Sequence, residues 1–261
     1  MKHRFLVITL ATLGLCLSTF AKENQEHAEK KDEHAASVAA PAEHAATAAP
    51  ADHVAAPAAH AEKTEGVPAE KALTFLKNGN LRFQKGHFRK DGASKADIAR
   101  LASGQHPHTI VLSCSDSRVP PEVLFDQKLG EIFVVRTAGE AIEPTSIASI
   151  EYAVEHLGAK NILVMGHTQC GAVKAALSTL GGKDAGSANL NKLVADLHPR
   201  LQSFADKKPS ENYSAEGWAN TKGVAKDLLA RSEVLAKAVK SGEVKISSAL
   251  YNLHSGVVDF E

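Results

Sequence analysis

The sequence predicts an α/β fold, a mostly parallel central β-sheet flanked by helices, and three observations carry that expectation. First, 108–114 (HTIVLSC), 131–136 (EIFVVR) and 161–167 (NILVMGH) are short apolar runs rich in Val and Ile, as strands buried on both faces require. Second, stretches with apolar residues at helical spacing lie between and after these runs, and strands alternating with helices argue for a sheet covered on both sides. Third, the chain ahead of about residue 66 has a composition that cannot contribute to such a core.

Residues 1–21 (MKHRFLVITLATLGLCLSTFA) combine a basic start at Lys2 and Arg4, an apolar stretch through Leu17 and a small-residue exit near Ala21. This is the pattern of a secretory signal peptide, too short and too abruptly followed by polar residues for a membrane span; an uncleaved anchor is the alternative. Residues 22–66 consist largely of Ala, Glu, Lys, Pro and His, without an aromatic, a Leu or an Ile. They cannot bury enough apolar surface to offset the entropy of ordering, so they read as a disordered tether. Its five histidines, His27, His34, His44, His53 and His60, are either weak metal ligands or incidental to a soluble spacer.

The folded domain is expected at 67–261. It opens on a helix carrying Ala72, Leu73, Phe75 and Leu76 and ending near Gly79. After the second strand, Ile147, Ile150, Val154 and Leu157 share one helical face, with Gly158 as the stop. A helix of small residues follows the third strand as far as Gly181. Two amphipathic stretches, 187–204 and 223–242, then precede a closing hairpin that turns near 254–256.

Acidic and basic residues balance at 30 each, which leaves no electrostatic footprint for nucleic acid or for an anionic membrane. Signal cleavage would leave no stable membrane insertion and would place the protein in the periplasm or outside the cell. Of three cysteines, Cys114 and Cys170 would remain. In an oxidising compartment a structural disulfide is the bland use of two cysteines.

The motifs favour another use. In 111–122 (VLSCSDSRVPPE) an apolar run stops at Cys114, and Asp116 and Arg118 follow at alternate positions. In extended backbone these three side chains face one pocket, while Ser115 and Ser117 face away. In 166–177 (GHTQCGAVKAAL), His167 and Cys170 are three apart where a strand gives way to a helix. Two thiolates and an imidazole suit zinc, and three protein ligands leave the fourth tetrahedral position open, the mark of a catalytic site. A guanidinium beside a carboxylate keeps it ionised and grips it through two bonds. Without the metal motif, Asp116 and Arg118 would read as a structural ion pair.

CSDSR followed by GHTQCGAVKAAL resembles the β-class carbonic anhydrases, and the likeness runs through LKNGNLRF, GEIFVVRTAG and IEYAVEHLGAKNILVMGH. The resemblance implies one Zn2+ per catalytic site, held by Cys114, His167 and Cys170. It implies hydration of CO2 to bicarbonate and a proton by zinc-bound hydroxide, with Asp116 accepting a hydrogen bond from that hydroxide and Arg118 holding Asp116 ionised and oriented. It also implies a substrate pocket of Gln105, Phe133, Tyr152 and Gly171, the glutamine reaching across a dimer interface, in a homodimer or a dimer of dimers. The plain reading of Phe133 and Tyr152 is that they are core aromatics. Where many members read R-N-x-A-N, this chain has RTAGE (136–140), so Glu140 is expected to alter the pocket mouth or its proton traffic. Val111 and Ser113 stand where a bicarbonate-regulated subgroup has Trp and Gly, which favours the open, water-bearing form. His87 and His108 are candidates for a proton shuttle. Rival functions on the same residues are hydrolysis of CS2 or COS, and non-enzymatic periplasmic zinc binding.

Overall fold

The computed structural model describes residues 66–261; the expected signal peptide and almost all of the expected tether, with its five histidines, lie outside the described residues. The first helix, α1 (Ala69–Lys85), does not stop at Gly79 but runs on to Gly86, whose left-handed φ of 65° lets its N–H reach the carbonyls of Arg82 and Phe83. Gly79 serves packing instead. A Cβ there would lie 1.7 Å from the carbonyl oxygen of Phe125, so only glycine lets the two backbones approach. The buried stripe of α1 is accordingly Ala72, Leu76, Gly79 and Asn80, and Phe75 is exposed.

A short helix that the apolar pattern does not predict follows, α2 (Lys95–Leu101), with no buried residue and a reciprocal cap between Ser94 and Asp97. Then come β1 (Thr109–Cys114), α3 (Pro121–Leu124), β2 (Ile132–Thr137), α4 (Pro144–Glu155), β3 (Asn161–His167) and α5 (Gly171–Thr179). The chain continues through α6 (Ala188–Leu201), α7 (Ser214–Arg231) and α8 (Glu233–Lys240) to β4 (Lys245–Tyr251) and β5 (Val258–Phe260). The stretch 223–242 is thus two helices. Ser232 leaves helical backbone (φ −132°, ψ 110°) and its side chain accepts from the Leu235 N–H to start α8.

The five strands lie in the order β2-β1-β3-β4-β5, parallel except for the closing β4–β5 hairpin. Every residue of β1 and β3 is buried, as expected of central parallel strands. Their side chains alternate between two cores. Ile110, Leu112, Ile162 and Val164 pack with Ile150 of α4, Val224 and Leu228 of α7 and Leu235 of α8. Val111, Leu163 and Met165 face the other way, onto Leu76 of α1 and Phe125. Burying each such side chain contributes about 1.5–3 kcal/mol. No helix among the described residues is long and apolar enough to cross a membrane.

After β1 the chain moves outward to β2 and then back past β1 to β3. This reversal opens a crevice between the carboxyl ends of β1 and β3, where ligands of open α/β sheets bind. Cys114 ends β1 and His167 ends β3.

Candidate active site

The crevice gathers three potential ligands. Donor atoms of Cys114, His167 and Cys170 all lie within 4.8 Å of one another, and all three residues are buried. The two sulfurs are 4.0 Å apart and both cysteines are free, so they form no disulfide. Nδ1 of His167 is 2.8 Å from the Thr168 carbonyl oxygen, so Nδ1 carries the hydrogen and donates it. Nε2 is therefore the bare nitrogen, and it is buried without a hydrogen-bond partner. An orphaned acceptor between two thiols costs free energy unless a cation meets it. The donor set suits zinc.

The two sulfurs are within hydrogen-bonding reach of each other. The hydrogen bond from Cys170 pulls the Cys114 thiol down against the effect of burial, with further help from the Gly139 N–H, while that same bond and burial push Cys170 up. Gly139 donates to the Cys114 sulfur at 3.4 Å. It does so from a left-handed φ of 65°, and a Cβ there would lie 2.7 Å from Ala172 and 2.8 Å from Leu197. Asn220 of α7, wholly buried, fixes this corner by donating to the Gly139 carbonyl (2.8 Å) and to Oε2 of Glu140 (2.9 Å). Glu140 is thus not at a pocket mouth. Its side chain is turned inward, Oε1 has no partner, and burial pushes its carboxyl well above the usual range, helped by the Cys114 charge.

Asp116 and Arg118 are joined by a turn rather than by extended backbone. The strand ends at Cys114, the Val119 N–H donates to the Asp116 carbonyl at 2.9 Å, and the Arg118 N–H donates to Asp116 Oδ1 at 2.9 Å. Nε and Nη2 of Arg118 then grip Oδ1 (2.9 Å) and Oδ2 (2.7 Å). Arg118 leans outward, 59% exposed, while Asp116 is 17% exposed with Oδ2 3.8 Å from His167 Nε2. The Arg118 fork holds the Asp116 carboxyl well below the usual carboxylate range. One contributor has no counterpart in the motif reading. Arg136, at the end of β2, donates to the carbonyls of Cys114 (3.0 Å) and Asp116 (2.6 Å) and pins the chain where it passes from strand into turn. Its one sequence signal is a guanidinium closing an apolar run.

The other expected pocket residues divide. Gly171, first in α5 and exposed, adjoins Cys170. Gln105, Phe133 and Tyr152 are not brought to the cluster of their own chain. Gln105 is exposed ahead of β1. Phe133 pairs in register with Ile110, whereas Cys114 pairs with Thr137, so Phe133 sits toward the amino end of the sheet. Tyr152 is 50% exposed near the carboxyl end of α4, its ring beside His156 at 5.2 Å. His108 is no proton shuttle for this cluster. It lies ahead of β1 with Nδ1 and Nε2 engaged by Thr109 and Gln127, each at 2.9 Å, and burial pushes its pKa down. His87 is exposed beyond the cap of α1.

A parallel sheet with a buried Cys2His cluster at its switch point, flanked by a clamped carboxylate, defines an α/β metal-binding enzyme scaffold. A family model described as carbonic anhydrase matches residues 109–258. Carbonic anhydrase 2 of Mycobacterium tuberculosis is 34% identical over 204 residues, spanning 74% of this chain and 91% of that one. The carbonic anhydrase of Mycolicibacterium smegmatis is 38% identical over 188 residues, spanning 72% and 91%. Among solved structures, a β-carbonic anhydrase of Aspergillus fumigatus superposes with a TM-score of 0.57 at 27% identity, covering 74% of this chain and 89% of that one. The tetrameric β-carbonic anhydrases of Sordaria macrospora share the fold, with a TM-score of 0.56 at 23% identity and coverage of 73% and 94%. The chain belongs to the β-class carbonic anhydrases, enzymes whose general reaction is the hydration of CO2.

Proposed function

We propose that this chain interconverts CO2 with bicarbonate and a proton, using one zinc ion held by Cys114, His167 and Cys170. The observation that carries the reading is the buried, unpartnered Nε2 of His167 facing two free thiols, with the Asp116 carboxylate beside it. Zinc bound there supplies a Lewis acid that brings the pKa of water to about 7 and so provides hydroxide near neutral pH. Asp116, ionised at every working pH, accepts a hydrogen bond from the attacking oxygen and turns a lone pair toward the carbon of CO2. Arg118 keeps that carboxylate in place by occupying both of its oxygens, an arrangement that favours the open over the Asp-ligated form. Gly171 offers no side chain to obstruct the approach. Bicarbonate then leaves and the proton passes to solvent.

In a homodimer or a dimer of dimers, Gln105 reaches the pocket from a second copy of the chain, with Phe133 and Tyr152 assigned to the same pocket; the exposed place of Gln105 ahead of β1, whose far end carries Cys114, supports this. The named relatives favour CO2 over CS2 or COS. The clamped Asp116 favours catalysis over metal storage. The sequence supports reading residues 1–21 as an export signal and 22–66 as a tether ahead of a catalytic domain at 67–261, a reading under which the enzyme works in the periplasm or outside the cell.

The test is zinc content together with stopped-flow CO2 hydration from pH 6 to 9. One zinc per chain and a rate that rises with pH are expected. No hydration at any pH, in a sample carrying one zinc per chain, would defeat the reading.

A further inference from the structure

The loop between His167 and Cys170 is held from two sides. On one side β4 and the residues after it secure Thr168, whose N–H donates to the Tyr251 carbonyl (2.9 Å) and whose Oγ1 accepts from the Leu253 N–H (3.1 Å). On the other side Gln169 takes a left-handed φ of 61°, which side chains other than glycine rarely adopt. Its N–H donates to the Asn212 carbonyl (2.8 Å) and its Nε2 to Asn212 Oδ1 (2.8 Å). Oε1 of Gln169 accepts from Lys174 Nζ, which lies 4.8 Å from the centre of the Tyr213 ring.

Asn212 and Tyr213 are themselves left-handed, with φ of 54° and 55°. Three such residues therefore face one another across a contact 43 residues apart in sequence. The short turn bearing Asn212 is anchored in turn by Glu216, which is buried and accepts from the Ser210 N–H (2.8 Å) and from its hydroxyl. Strain in two facing loops persists only where the surroundings over-determine it, and it gathers at functional sites.

We infer that Asn212 is a positioning residue that locks the His167–Cys170 loop in its metal-ready shape. Without the Asn212 side chain the Gln169 amide loses its anchor and only the backbone bond to the Asn212 carbonyl remains, so Gln169 relaxes toward negative φ and turns the peptide that carries the Cys170 sulfur away from His167 Nε2. The inference rests on the metal reading above and adds to it a residue that touches neither metal nor substrate.

Asn212→Gly separates positioning from plain structure, because it removes the Oδ1 acceptor and the side-chain strain together. The fold should be no less thermally stable, yet zinc measured against a chromophoric chelator in the full chain should bind about ten- to a hundredfold more weakly. The thiolate-to-metal and d–d absorption bands of the cobalt(II)-loaded variant should shift as well. Asn212→Asp keeps Oδ1 and should restore wild-type affinity and spectrum. Gln169→Met, which removes Nε2 at similar length, should reproduce the loss and serves if Asn212→Gly does not fold. Wild-type affinity and an unchanged cobalt spectrum in Asn212→Gly would overturn the brace, as would an Asn212→Asp variant as weak as Asn212→Gly. A wild-type chain that takes up no zinc would instead defeat the metal reading itself.

Discussion

Removing the Arg118 side chain should weaken the enzyme far less than removing the charge of Asp116. The carboxylate receives three hydrogen bonds from Arg118, at 2.9, 2.9 and 2.7 Å, and one of them comes from the backbone N–H, which Arg118→Ala retains. The guanidinium is 59% exposed, so solvent screens most of its attraction. An unclamped Asp titrates near 4, so the carboxylate stays ionised from pH 6 to 9 with or without Arg118. What Arg118→Ala loses is orientation. A drop in kcat/KM of about fivefold, flat across that pH range, is expected. Asp116→Asn keeps the shape but discards the ionised acceptor for the attacking oxygen. A charge-assisted hydrogen bond contributes about 1.5–3 kcal/mol, which corresponds to a loss of roughly 10- to 150-fold. Stopped-flow hydration on samples matched for zinc content measures both variants. An Arg118→Ala loss as large as that of Asp116→Asn would refute the reasoning, because the guanidinium would then act on the reacting atoms directly.

Three further outcomes are expected. Glu140 holds its proton in the fold to a higher pH than in the unfolded chain, so folding stability falls as pH rises above about 4.5. Melting curves of wild type should therefore decline from pH 5 to 8 more steeply than those of Glu140→Gln, and parallel curves would count against a buried neutral acid. Stripping zinc leaves two free sulfurs 4.0 Å apart. Diamide should then oxidise Cys114 and Cys170 together to a disulfide while the loaded enzyme resists; equal reactivity before and after chelation would contradict a shared metal. Mixing Cys114→Ser chains, which lack a ligand, with Gln105→Ala chains should regain activity, since one site of each mixed dimer pairs an intact cluster with an intact glutamine. Failure to complement, with subunit exchange verified, would place Gln105 at the cluster of its own chain.

The strands were legible almost residue by residue because β1 and β3 are buried throughout, and unbroken apolar runs have few other uses. The Cys114–His167–Cys170 cluster was legible because its residue types are scarce and sit where those strands end. Gly79 was misread as a helix stop because a glycine in a helical run also marks close approach, and only the carbonyl of Phe125 distinguishes the two. The rhythm of Cys114, Asp116 and Arg118 brought the right groups together through the wrong geometry. Asp116 captures the Arg118 N–H and turns the chain, so alternation ceases at the end of the strand. The polar α2 escaped notice because helix periodicity is read from apolar residues, and α2 buries none. Arg136, Asn212 and Asn220 act at separations of 20, 43 and 81 residues, where no local pattern can announce a partner.

These distant contacts explain how a site at a strand terminus can be rigid without being closed. The cluster lies at the carboxyl ends of parallel strands, where the backbone leaves its ladder and must find other partners. Arg136 satisfies the carbonyls where β1 runs out, Asn220 the Gly139 carbonyl after β2, and Asn212 the Gln169 N–H after β3. Each loop that bears or touches a ligand is thereby tied to a different element, and loosening one tie leaves the other two in place. Selective damage to one tie should therefore change how the metal is held before it changes whether the chain folds. Asp116 is tied to this frame through its carbonyl, which accepts from Arg136, while Arg118 at the tip of the same turn is open to solvent. That placement suits the role proposed for Asp116, a carboxylate meeting a small molecule that arrives from water.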